Sequence, residues 1–144
     1  MEMSGESNSL SFSRLALAIA TGLILVSCSS ESKAAPYLKQ ICNDWQTAGY
    51  SSGSIETREN LTNKFSAQVT SAVALDPEAA ADFQVAINLM KNVTVLENQE
   101  AEYSARAFFE GSQYWKDLAA SRASEARSEK AKVVEQFIQI CKKF

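Results

Sequence analysis

Three short interruptions divide residues 36–144 into four segments, and each segment has the composition of a helix. The interruptions are residues 49–53 (Gly-Tyr-Ser-Ser-Gly), residues 76–78 (Asp-Pro-Glu) and Gly111. Glycine and proline are the residues that most often end helices, and the whole chain contains only 5 glycines and 2 prolines. Because alanine, glutamate, lysine, glutamine and leucine dominate between the interruptions, the sequence predicts an all-α domain.

The predicted helices also have recognisable starts. Pro36 suits the first turn of helix one, Ser54 is expected to cap helix two, and Asp76 is expected to cap helix three. Helix four is expected over residues 113–142. Apolar side chains recur at intervals of three and four and give each segment a core face; they include Leu38, Ile41, Cys42, Trp45, Leu61, Phe65, Val69, Val73, Phe83, Ile87, Met90, Val133, Phe137 and Cys141.

Helix three contains one segment that could interrupt it. Residues 92–95 (Asn-Val-Thr-Val) are rich in β-branched side chains, which favour strands. A lone strand of four residues has no partner elsewhere in the chain, so we expect the helix to continue toward Ala107. The simplest arrangement of four such helices is an up-down four-helix bundle.

Cys42 and Cys141 lie near the two ends of the predicted domain. The start of helix one and the end of helix four share a pole of an up-down bundle, so a disulfide between these cysteines is geometrically reasonable. Closing a loop of this length destabilises the unfolded chain by about 4.7 kcal/mol in the chain-entropy model. The alternative is a pair of free buried thiols.

The N-terminal residues have the pattern of a secretory signal peptide. Arg14 precedes an apolar run over residues 15–26, which is shorter than the roughly 20 residues that a spanning helix needs. The last two residues of this run and the two after it, Leu25-Val26-Ser27-Cys28, resemble the lipobox of bacterial lipoproteins. That resemblance implies that the chain is cut before Cys28 and that this cysteine carries a diacylglycerol group. Residues 1–27 are then the signal peptide, residues 28–35 a flexible tether, and residues 36–144 the helical domain.

The lipobox also implies a location, with one alternative left open. Two or three acyl chains hold a protein stably on a membrane, on the extracytoplasmic side. Ser29 is not the aspartate that retains many lipoproteins at the inner membrane, which favours the outer membrane in a diderm host; in a monoderm host the site is the outer face of the plasma membrane. An ordinary signal-peptide cut after Ala34 would instead give a secreted protein.

Composition excludes several classes of function. The chain has no histidine, so neither a Ser-His-Asp arrangement nor a common zinc site can be assembled. The net charge of −3 gives no electrostatic basis for nucleic-acid binding. Glu97, Glu100 and Glu102 are close enough to suggest paired carboxylates, but we expect them to form a solvated acidic face. We therefore expect no enzyme, no cofactor and no metal site.

Aromatic residues are concentrated around Gly111: Tyr103, Phe108, Phe109, Tyr114 and Trp115. They are expected either to close the end of the core or to form a ligand or partner patch at the membrane-distal pole. The function that these observations favour is a non-enzymatic envelope lipoprotein that binds another envelope protein or supports an assembly. The alternative is a carrier, secreted or anchored, that holds a small apolar ligand between helices three and four near the aromatic residues.

Overall fold

The computed structural model describes residues 31–144, of which Ser32–Phe144 form one compact unit. The unit consists of four α-helices: α1 (Ala35–Thr47), α2 (Ile55–Leu75), α3 (Pro77–Glu110) and α4 (Gln113–Cys141). The predicted all-α class is therefore confirmed. Cys28 and the predicted signal peptide lie outside the described residues. None of the helices in the described part is long and apolar enough to cross a membrane.

The residues expected to start and end the helices do so. The Ser54 hydroxyl accepts a hydrogen bond from the Thr57 amide (3.1 Å), and the Asp76 carboxylate accepts one from the Ala79 amide (3.0 Å). That amide, together with a hydrogen bond from the Ser32 hydroxyl, lowers the pKa of Asp76. Gly111 ends α3 with a φ of 64°, the left-handed region in which glycine avoids the steric cost of a Cβ atom.

Helix α3 is continuous through the β-branched segment at residues 92–95. Val93 is fully buried there, and the Thr94 hydroxyl donates a hydrogen bond to the Met90 carbonyl (3.2 Å). Packing of this segment against the neighbouring helices therefore outweighs the low helix propensity of its residues.

The helices follow one another around the bundle. Each helix packs against the next in sequence, and α1 also contacts α4, which confirms the up-down arrangement. The centre of the core is aromatic, because Phe65 and Phe83 pack around Phe137 and all three are fully buried. The Trp45 ring stacks on the Phe137 ring with centroids 3.9 Å apart and planes within 8°.

The predicted disulfide is also present. It joins Cys42, in the middle of α1, to Cys141, the last residue of α4, with Cα atoms 5.5 Å apart. The alternative of two free thiols is thereby excluded. The bridge fastens the first and last helices, which make few other contacts with each other.

The helices have unequal lengths, and this shapes the molecule. Helix α3 has 34 residues and spans about 51 Å, whereas α1 has 13 residues and α2 has 21. Helix α2 begins near the level of Glu97, so α4 is the helix of the described part of the chain that runs beside the rest of α3. We call residues 98–129 the arm and its end around Gly111 the tip. The buried residues of the arm are Ala107, Ala119 and Ala126, so small side chains let its two helices approach closely.

The folded unit begins earlier than expected. Residues 28–35 were predicted to be a flexible tether, yet Ala34 is fully buried and Ala35 already belongs to α1. The Ser32 carbonyl accepts a hydrogen bond from the Ala35 amide (2.8 Å), and the Ser32 hydroxyl donates one to Asp76 (2.5 Å). These contacts are made by small polar and apolar residues, whose composition resembles that of a linker, so the sequence does not distinguish them from one.

Candidate functional site

The five aromatic residues predicted as a patch all lie at the tip, but they divide into two groups. Tyr103 and Trp115 are half-buried, with ring centroids 5.6 Å apart. The Arg106 guanidinium lies 4.8 Å above the Trp115 ring, and the Trp115 indole N–H donates a hydrogen bond to Glu110 (2.6 Å). These two rings therefore close the end of the arm, in agreement with the first of the two roles expected for the aromatic residues.

The other three aromatic residues face solvent. Phe108 and Phe109 are 83% and 82% exposed, and Tyr114 is 63% exposed. The two phenylalanine rings contact each other edge to face, with centroids 5.4 Å apart. Because Ala107 is the residue of this turn that faces α4, the next two side chains must point away from the two-helix arm. The expectation that the aromatic residues close the core is thus wrong for these three.

Charges around the tip have both signs. Near the aromatic rings the arm carries Glu102, Glu110 and Asp117 together with Arg106 and Lys116. Arg106 pairs with Glu102 across one helical turn (2.7 Å). The tip is therefore an apolar surface in a nearly neutral setting, without a cationic field.

A buried ionic cluster lies at the base of the arm. Both Glu97 oxygens accept hydrogen bonds from the Arg58 guanidinium (2.5 and 2.8 Å), and Lys130 donates a third (3.0 Å). Arg58 and Glu97 are 6% and 3% exposed. Arg58 also donates hydrogen bonds to the Tyr50 and Gly53 carbonyls, so the cluster ties the α1–α2 loop to α3 and α4.

Glu97 was expected on a solvated acidic face, and that expectation is wrong. The position of Glu97 in the repeat of buried residues along α3 could have indicated its burial. Arg58 precedes Thr62, Phe65 and Val69 on the buried stripe of α2, and Glu97 follows Val93 by four residues on α3. A charge at a core position of each of two helices indicates a buried pair.

A groove runs along the outer surface of α4 beside the α1–α2 loop. One section has a volume of about 480 Å³ and includes Trp45, Tyr50 and Ile138 in its lining. An adjoining section of about 680 Å³ includes Arg127 and Lys130. The two sections share Ser51, Val134 and Ile138. Burial raises the pKa of the Tyr50 hydroxyl, which has no hydrogen-bond partner in the structure.

The carrier hypothesis places its ligand between α3 and α4 near the aromatic residues. In the structure the apolar groove lies elsewhere on the molecule. A groove between α3 and α4 has a volume of about 410 Å³, but its lining is mostly polar and includes Gln99, Arg122 and Glu125. None of the three grooves is lined by the five aromatic residues of the tip. The apolar groove is the one along α4.

Within residues 31–144, no group of three or more histidine, cysteine, aspartate or glutamate side chains is placed to hold a metal ion. Comparison with known proteins provides no relative: no family model, no curated protein and no solved structure matches this chain.

Proposed function

We propose that this protein is a lipid-anchored, extracytoplasmic protein of the bacterial envelope with a non-enzymatic role, and that the tip binds another envelope protein. The observation that carries the proposal is the nearly complete exposure of Phe108 and Phe109 at the end of the arm. Burying a phenylalanine stabilises a protein by about 1.5–3 kcal/mol, and these two side chains gain little of this within the chain. A partner surface would supply that burial.

The chemistry of the tip favours a protein partner. Aromatic residues at the centre of a protein–protein interface provide much of the binding energy. Tyr114 adds a hydroxyl that can form hydrogen bonds beside the two phenylalanines. A surface that binds anionic lipids usually combines apolar residues with an excess of lysine and arginine, and the mixed charges of the tip lack this excess.

The distance between the two ends of the unit supports an anchor at one end and a binding surface at the other. Ser32 contacts Asp76 at the start of α3, whereas the tip is at the end of this helix, about 51 Å away. Three residues separate Cys28 from Ser32, so a lipid on Cys28 would hold Ser32 within about 14 Å of the attachment point. With the helical unit upright on the membrane, the tip would lie well outside the lipid headgroups.

One observation favours the lipoprotein over a secreted product cut after Ala34. Such a cut would remove Ser32, whose hydroxyl donates a hydrogen bond to Asp76, and the buried Ala34, whose carbonyl accepts a hydrogen bond from the Leu38 amide in the first turn of α1. A cut before Cys28 keeps both. The disulfide fits an extracytoplasmic location, where cysteines are oxidised, and is compatible with either product.

The anchor is tested by the intact mass of the protein from native membranes. We expect Cys28–Phe144 plus acyl groups, with a gain of two hydrogens on reduction. The Cys28→Ser variant should leave the membrane fraction. A bare chain that begins near Ala35, or a Cys28→Ser variant that remains tightly membrane-bound, would refute the anchor.

The partner is tested by crosslinking and capture from solubilised membranes at native expression. The double variant Phe108→Ser/Phe109→Ser should lose a protein that the wild type captures. The matched control is Val85→Ser/Val95→Ser, which removes two other exposed apolar side chains of α3, each 52% exposed. Equal capture by both variants, or no partner above background for the wild type, would count against the proposal.

A second candidate function is a carrier for an apolar ligand. The specific observation that favours it is the groove along α4, whose two sections have volumes typical of ligand sites.

A further inference from the structure

The groove along α4 has an apolar half. Ile138 is 48% exposed within it, although a large aliphatic side chain gains most when it is buried. Trp45, held by its stacking on Phe137, is part of the lining beside it. Val134 continues the apolar surface into the second section. The disulfide at Cys141 fixes α1 against α4 at this end, so this apolar surface is preformed.

The other half of the groove has an excess of positive charge. In the buried cluster a single carboxylate, Glu97, faces two cations, Arg58 and Lys130. Arg58 is engaged by both Glu97 oxygens, whereas Lys130 uses one donor for Glu97 and also lines the groove. Arg127 lies one helical turn away on the same lining.

The remaining charge on this lining does not cancel the excess. Glu135 is the one acidic side chain among the residues that line this section. Arg127 and Lys130 line the same section, which therefore keeps one positive charge, and Lys142 adds another in the adjoining section. An anionic group between Arg127 and Lys130 would accept charge-assisted hydrogen bonds from both.

We propose that the groove binds a single-chain anionic amphiphile of the long-chain fatty acid class. Its carboxylate lies between Arg127 and Lys130, and its hydrocarbon chain follows Val134 and Ile138 toward Trp45. Residues 127 and 138 are about 16 Å apart along α4, a length that such a chain spans when extended. The groove is remote from the tip, so this proposal and that of a protein partner at the tip can succeed or fail independently.

Fluorescence quenching tests both binding and orientation. The full chain is made with Cys28→Ser, which prevents competition from its own acyl groups, and with Trp115→Phe, which leaves Trp45 as the single tryptophan. Hexadecanoate brominated at its terminal carbon should quench Trp45 saturably. Hexadecanoate brominated beside the carboxylate should quench it at least several-fold less at equal occupancy. Quenching that does not saturate, or that is independent of the bromine position, would overturn the proposal.

Matched variants test the two halves of the groove. Arg127→Gln should weaken binding about tenfold, whereas Lys116→Gln, which removes a cation of the arm on the same helix, should not. Ile138→Gln should likewise weaken binding, and Val95→Gln, at a similarly exposed position outside this groove, should not. The methyl ester of the fatty acid should bind at least tenfold more weakly than the acid. Equal affinities in any of these three comparisons would contradict the proposed orientation.

The natural occupant is sought in protein purified from native membranes. Organic-solvent extraction and mass spectrometry should return a long-chain fatty acid near one equivalent, and a lysophospholipid in its place would contradict the assigned class. The amount should fall in the Arg127→Gln protein and not in the Phe108→Ser/Phe109→Ser protein. If the wild type and the Arg127→Gln protein yield equal amounts of the extracted lipid, this lipid is co-purified membrane lipid and the proposed site is refuted.

Discussion

Replacing Glu97 by glutamine should destabilise the protein more than any other substitution of a carboxylate in the folded unit. The Glu97 carboxylate accepts three charge-assisted hydrogen bonds and is 3% exposed. Glutamine keeps the shape and one acceptor but loses the charge, which leaves Arg58 buried without a counter-ion. Breaking a buried pair in this way costs about 3–5 kcal/mol. Because the amide oxygen still accepts one hydrogen bond, we expect about 3 kcal/mol.

The two cations should contribute unequally. Lys130 is partly exposed, with 23% of its side chain accessible, so Lys130→Met should cost only about 1 kcal/mol. In the double variant Arg58→Met/Glu97→Leu the buried pair is removed, and the charge that remains is that of the partly exposed Lys130. The cost of this double variant should fall to about 1–2 kcal/mol, which reflects the unpaired carbonyls of Tyr50 and Gly53 and the lost partner of Lys130.

Urea unfolding followed by circular dichroism at neutral pH measures these differences. The matched control is Glu100→Gln, one turn along the same helix, for which we expect a change within about 0.5 kcal/mol. At about 4 °C per kcal/mol, the Glu97→Gln protein should also melt about 12 °C below the wild type. If Glu97→Gln and Glu100→Gln are equally stable, or if the double variant is less stable than Glu97→Gln, the reasoning about the buried charge is wrong.

Three further predictions concern the disulfide, a helix cap and the tip. Replacing both Cys42 and Cys141 by alanine should lower the free energy of unfolding by up to about 4.7 kcal/mol, and reductant should lower the Tm of the wild type but not that of the variant. The pKa of Asp76 is lowered by folding, so its stabilisation is present above the unfolded pKa and is lost as the pH falls through the folded value. Asp76→Asn keeps a good cap, so its deficit against the wild type should shrink in acid titrations of stability; a constant deficit would contradict the linkage. Gly111→Ala should cost about 1 kcal/mol in urea unfolding, because its φ is +64° although its Cβ would meet no atom within 4 Å, and Gly111→Asn should cost less.

The helix boundaries could be predicted because their signals are local. Ser54, Asp76 and Gly111 each act on main-chain groups within four residues, and sequence neighbours are always available for such contacts. The disulfide followed from the topology, since an up-down bundle brings Cys42 and Cys141 to one pole. Neither of these two inferences required knowledge of side-chain packing.

The site could be predicted only in part, because it depends on which helices are neighbours at each height. The arm exists because α2 has 21 residues and α3 has 34, and the one residue between them places the start of α2 near the level of Glu97, where Arg58 pairs with it. The adjacent Phe108 and Phe109 cannot share a helix face, but their exposure arises because, within residues 31–144, no third helix lies beside the tip. The groove is similarly a property of the spacing between α1 and α4.

The position of the disulfide also determines how the protein would carry a mechanical load. A pull between Cys28 and Gly111 enters through α1 and reaches Cys42. From there about 70 residues of main chain lead to Gly111 through α2 and α3, but only about 30 residues lead there through the bridge and α4. Tension would therefore pass along α4, and α2 and α3 would stay unloaded while the bridge is intact. Reduction would transfer the load to the longer path and nearly double the length of chain between Cys28 and Gly111 that can be drawn out.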